Sequence, residues 1–190
     1  MVAAFLASVV LTLQTLLSLA PYHRDRETHD ERLARMTTTA EAMHSAALEA
    51  TCSGPFEGAD FCTPVWQGKP AELVALLGAV GWHESAFAKH VGAGACKPWE
   101  CDGGRARHYW QTQAGPRLPR AEWLELEGVE YYPTTRAAYA AARELGFGHR
   151  RCRSIEGAIA FYARPATGCR WPGAAPRART YRRLLARLEP

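Results

Sequence analysis

Between Pro70 and Gly92, Leu73, Leu76, Leu77, Val80, Phe87 and Val91 recur with the helical period, and Glu84 falls on the same face. It stands four residues after Val80 and three before Phe87, where a core side chain is expected. A carboxyl group stripped of water on an apolar face holds its proton more readily than a solvated one. Such an acid can protonate the leaving oxygen of a glycosidic bond as that bond breaks. Two readings of Glu84 therefore stand side by side. One is a general acid, and the other a buried glutamate paired with one of the chain's many arginines.

Glycosidases ordinarily use two carboxylates, and Glu84 has no obvious second. Asp102 is the best candidate, in a Gly-rich segment from Cys96 to Gly104; before two glycines it is equally a turn former. Metal chemistry fails on spacing. His83-Glu84 matches the start of a zinc-protease helix motif, but position 87 is Phe and the next histidine is His90. Cys96 and Cys101 with nearby histidines could hold zinc, yet disulfide chemistry is favoured, so neither metal nor cofactor is expected. Trp82, Trp99 and Trp110 could offer faces to sugar rings, and Trp110, beside Gln111, is the preferred one.

The expected fold class is mainly α, a single domain preceded by an N-terminal hydrophobic helix. With 190 residues, 47% of them hydrophobic and 22% charged, the chain suits one globular domain plus an appended segment and excludes a disordered protein. Residues 1–21 read as a signal peptide or membrane anchor. Val2 to Ala20 carry no formal charge and have about the length of a spanning helix. Ser18-Leu19-Ala20 resembles a small-residue cleavage site, but Pro21 follows it, which favours an uncleaved anchor. Arg24 and Arg26 follow the run and would by themselves place the remainder in the cytoplasm. Residues 22–69 read as a linker helix or first helix, with Leu33, Met36, Ala40, Met43 and Ala47 at helical spacing, and then a loop. Residues 70–190 read as the catalytic domain.

Within that domain Pro70 and Glu72 mark a helix start and Gly92 a stop. A loop should follow to Pro119, with a short extended piece around Tyr109-Trp110-Gln111. Thr134 or Thr135 can cap a helix that ends at Gly146 or Gly148, and Ser154 can cap another. In the latter Ile155, Ala158, Ile159 and Tyr162 share one face. In the last helix Tyr181, Leu184, Leu185 and Leu188 form the stripe, and Arg177, Arg179, Arg182, Arg183 and Arg187 lie mostly off it.

Six cysteines, spaced as three local pairs, suit disulfides in an oxidising, extracytoplasmic compartment, and they outweigh the charge signal of Arg24 and Arg26. Proximity suggests Cys52 with Cys62, Cys96 with Cys101, and Cys152 with Cys169, among about 15 possible connectivities. Charge is uneven. Residues 1–104 hold 7 basic against 12 acidic side chains, and residues 105–190 hold 16 against 7. A basic half suits a cell wall, a nucleic acid or a membrane face without choosing among them, and is equally an Arg-rich solvated surface.

Gly81-Trp82-His83-Glu84-Ser85-Ala86-Phe87 resembles the Glu-Ser-x-aromatic motif of the soluble lytic transglycosylase family, within the lysozyme-like superfamily. Ala106 to Gln111 resembles that family's second motif, with Gln111 at its polar position, and Ala158-Ile159-Ala160-Phe161-Tyr162 resembles the third. The chain departs from the pattern at His108, where the family has Gly, and at Ala163, where it has Asn. The resemblance, over roughly residues 70 to 165, implies cleavage of peptidoglycan glycan strands by transglycosylation or hydrolysis. Glu84 would be the acid and base, and Ser85, Gln111, Tyr162, Trp110 and Asp102 would lie along the substrate. It also implies that the sugar's own acetamido group replaces a second carboxylate. Peptidoglycan is then the expected partner, with no nucleic acid and with a monomeric chain. The rival from another class is an inactive lysozyme-like module that binds the wall or scaffolds the envelope.

Overall fold

The computed structural model describes residues 2–19, 27–60, 62–97 and 99–189, and it is mainly helical. In chain order the elements are α1 (Val2–Leu19), α2 (His29–Ala50), a 3-10 turn (Gly54–Phe56), α3 (Pro70–Ser85), α4 (Lys89–Gly92), α5 (Cys101–Gly104), β1 (Ala106–Arg107), β2 (Thr112–Gln113), α6 (Arg120–Leu124), α7 (Tyr131–Cys152), α8 (Ile155–Ala163), a second 3-10 turn (Pro165–Thr167) and α9 (Ala174–Leu188). α3 is central, and every residue from Leu73 to Gly81 is buried. It packs against α2, α7 and α9; α2 packs against α7, and α8 touches both α7 and α9.

Local chemistry sets the helix starts. Pro70 opens α3, and the backbone N–H of Lys69 donates to Glu72 Oε2 at 2.8 Å. Ser154 caps α8 by accepting from Gly157 N–H at 3.0 Å. α2 begins with a full capping box, in which Thr28 Oγ1 accepts from Glu31 N–H and Glu31 Oε2 from Thr28 N–H. This helix belongs to the core, because Met36, Ala40, Met43 and Ala47 are buried, while Leu33 is exposed.

Helix ends depart from expectation where long-range packing decides them. α3 stops at Ser85 rather than Gly92, because Ala86 and Phe87 take φ of 50° and 52°. Ser85 Oγ donates to Gly81 O and accepts from Phe87 N–H, both at 3.1 Å, which fixes the reversal. The break turns Phe87 back beneath α3, where it meets Tyr109 and Trp110 edge-on. A Cβ on Gly81 would lie 2.6 Å from the Phe87 ring, so only glycine fits there. α7 starts at Tyr131 and runs past Gly146 and Gly148 to Cys152, with Thr134 buried inside it. Those glycines are contact points rather than stops. A Cβ at Gly146 would meet the Val65 carbonyl at 2.1 Å, and one at Gly148 the Ala158 backbone at 3.1 Å.

The apolar N-terminal run, expected to stand apart from the domain, packs onto it. α1 lies against α2 and α9, with Val9 and Leu16 in the core. The Thr12 hydroxyl donates to Ser8 O and meets His44 Nε2, both at 2.9 Å, and Arg32 Nη2 donates to Leu17 O at 2.8 Å. Burial pushes the His44 ring down to about 4. Among the described residues no helix is long and apolar enough to cross a membrane. Ala20, Pro21, Arg24 and Arg26, on which the cleavage and orientation expectations turn, lie outside the described residues.

Candidate functional site

The early end of α3 places Glu84 in its last turn, at the rim of the core, with its side chain 19% exposed. Two surface depressions meet there. One, of about 430 Å³, runs beside Trp82, Ser85, His90 and Glu100. The other, of about 280 Å³, runs beside Asp102, Gln113, Glu144 and Tyr162. Glu84 and Gln111 line both, so the carboxylate stands where the two depressions of this groove adjoin. The shape suits an extended polymer passing on either side of one acid.

The far wall is the β1–β2 hairpin, with Ala106 paired to Gln113 and Arg107 to Thr112. Residues 108–111 form its turn, although Tyr109, Trp110 and Gln111 were expected to be extended, and both His108 and Gln111 have positive φ, at 60° and 51°. At His108 this is the left-handed region that favours glycine. The histidine is held there by burial, by its stack on Trp110 with centroids 5.4 Å apart, and by Nε2–H donation to Gly128 O at 2.9 Å. Burial drives its pKa down to about 4, and Nδ1 is buried without a hydrogen-bond partner.

Trp110, the favoured sugar platform from sequence, offers no face to a ligand. It is fully buried, with Nε1–H donating to Leu77 O at 2.9 Å. It supports the groove floor, whereas Trp99, at 77% exposure, is the solvent-facing indole of the 96–101 loop. Neither His108 nor Trp110 fills the groove.

Gln111 Nε2 donates to His108 O at 2.9 Å and to Cys101 Sγ at 3.4 Å, which locks the tip of the turn. Tyr162, from α8, lines the second depression and donates its hydroxyl to Trp110 O at 2.5 Å, clamping the turn to the helical body. Burial, and then the charges of Glu84 and Glu144, raise its pKa well above the usual tyrosine range. Ala163 follows it in the wall and presents no polar group. Asp102 is exposed on a left-handed run that includes Cys101 and Gly103; its Oδ2 accepts from Gln113 Nε2 at 2.5 Å. It is both a turn residue and a groove residue.

The three disulfides join Cys52 to Cys62, Cys96 to Cys101 and Cys152 to Cys169. Cys96 and Cys101 are thus consumed, and no group of three or more His, Cys, Asp or Glu among the described residues is placed to hold a metal.

Two contributors have no local signature. Arg177, on α9, donates to Glu84 Oε1 from Nε at 3.2 Å and from Nη2 at 2.9 Å, across 93 residues of chain. Glu144, on α7, brings a further carboxylate to the groove besides Asp102 and Glu100, and takes a two-nitrogen contact from Arg117, with Nε at 2.8 Å and Nη2 at 2.7 Å. His83 flanks the first depression and meets Thr180 Oγ1 at 3.0 Å, and its pKa is lowered by burial and then by Arg177.

No family model matches the chain, and neither a curated protein nor a solved structure matches it.

Proposed function

We propose that this protein is a lysozyme-like enzyme of the cell envelope that cleaves the β-1,4 bond between N-acetylmuramic acid and N-acetylglucosamine in peptidoglycan. The observation that carries the reading is the position of Glu84, which is part-buried, at a helix end, and shared by both halves of an open groove. Its carboxyl group would protonate the glycosidic oxygen as the substrate's acetamido oxygen engages the anomeric carbon. The resulting carboxylate would then take a proton from water, giving a reducing end, or from the sugar's 6-hydroxyl, giving a 1,6-anhydro end. Gln111 and Tyr162 hold the opposite wall at fixed depth. Asp102 and Glu144 are further carboxylates in the groove, but the hydrogen bond of Asp102 with Gln113 and the pairing of Glu144 with Arg117 suit wall residues better than a nucleophile.

Three disulfides match an oxidising, extracytoplasmic setting. Export or tethering through the apolar N-terminal segment belongs to the same proposal, as does contact of the basic second half with the anionic wall. The alternative, an inactive wall-binding module, draws support from the Arg177–Glu84 ion pair, the arrangement of a structural glutamate. Mass spectrometry of products released from purified sacculi separates the readings. Anhydro ends indicate a transglycosylase and reducing ends a hydrolase; binding without release indicates the module.

A further inference from the structure

The Arg177 guanidinium is held from three directions. Its carbon lies 4.7 Å from the Trp171 ring centroid, Nη1 donates to Gly173 O at 3.1 Å, and Nε and Nη2 converge on Glu84 Oε1. The seat is built for it: a Cβ on Gly173 would collide with Trp171 at 2.3 Å, and the segment is tied to the end of α7 through Cys152–Cys169. Both hydrogen bonds fall on one carboxylate oxygen. Oε2 takes no protein hydrogen bond among the described residues, and the groove is open on both sides of Glu84.

We infer that Arg177 is the positioning residue of this groove: it grips Glu84 by Oε1, so that Oε2 carries the proton toward the glycosidic oxygen. This rests on the enzymatic reading of Glu84. A rigid seat matters because a catalytic acid misplaced by about 1 Å loses on the order of 10²-fold in rate. The guanidinium also stabilises the carboxylate left when the proton departs, at no cost of reorganisation. The other charged or titratable groups lining the groove with Glu84 are Tyr162 from α8 and Glu144 from α7, with Arg117, Asp102 and Glu100 from the loop wall and His83 and His90 from the flanks. Arg177 forms the ion pair with the carboxylate.

α9 does not depend on this arginine for its register. Ala178, Tyr181 and Leu184 are buried in the core, and His83 meets Thr180 one turn along. Arg177→Met should therefore fold. With soluble glycan strands as substrate, we expect kcat to fall roughly 10- to 100-fold while KM stays within about twofold. Arg177→Lys, which keeps a cation without the planar fork, should fall between wild type and Arg177→Met. Wild-type kcat in Arg177→Met, or a raised KM at unchanged kcat, overturns the inference. Glu84→Gln in the same assay keeps the two failures apart. If Glu84→Gln is inactive and Arg177→Met is not, only the role of Arg177 is wrong. If Glu84→Gln cleaves like wild type, the enzymatic reading fails and this inference with it.

Discussion

Acid should destabilise this protein before its carboxylates are protonated, because two histidines are buried with their pKa driven down. His44 and His108 both have folded-state values of about 4, against 6.5 for an ordinary histidine. Below 6.5 the unfolded chain takes up protons at these rings first, so stability is intact above that pH and is lost as pH falls toward 4. At pH 5 each ring costs about 2 kcal/mol relative to neutral pH, or about 4 kcal/mol for the pair. For a chain of this size that lowers Tm by roughly 10 °C. His108 is the more severe case, since protonation places a new N–H on Nδ1, which is buried without a partner. Thermal melts of the intact, unreduced protein at pH 7 and pH 5 read the effect. His108→Gln should melt lower than wild type at pH 7 and show about half the wild-type acid shift. A wild-type Tm that changes by less than about 3 °C over this interval refutes the account of both sites.

Gly81→Ala should cost about 1–2 kcal/mol, since the overpacking penalty at Phe87 exceeds the helix gain of alanine; the melting temperature measures it. An unchanged or raised Tm means that the ring has room to move. Trp99→Ala should raise KM for long glycan strands several-fold and leave kcat unchanged, because the exposed indole can stack on a sugar beyond the reacting bond. A fall in kcat at constant KM contradicts that placement.

Much of the helical frame is legible in the sequence, because starts are local events. Pro70 with Glu72, and Ser154 before Gly157, need only their neighbours to act as caps. The stops of α3 and α7 were not legible, nor was the start of α7, expected at Thr134 or Thr135 and found at Tyr131. Phe87 leaves the α3 line because Tyr109 and Trp110 wait beneath it, and Gly146 and Gly148 exist for Val65 and Ala158, none of which a window of sequence contains. The same limit applies at the groove. Glu84 shows itself as a carboxylate out of place on an apolar face, and the grouping of the cysteines in three local pairs anticipates their pairing. Trp110 and Trp99 are alike as residue types, and only the fold sends one inward and the other outward. Arg177 reads as one of many arginines off a helix stripe. Its contact with Glu84 is set by how α9 crosses α3, which has no sequence period. His108 stands where the resembled motif has glycine, yet the backbone still takes the left-handed turn there, because stacking and burial hold it.

The central claim is that the Glu84 carboxyl group transfers a proton, and Glu84→Gln tests it most directly because it keeps the shape and removes that proton. Release of muropeptides from purified sacculi should fall by ~10²–10⁴. The part-exposed pair with Arg177 should account for no more than about 1–2 kcal/mol of stability, since the guanidinium keeps Trp171 and Gly173. If Glu84→Gln releases product at the wild-type rate while its Tm drops, Glu84 is a structural ion-pair partner and the claim is wrong.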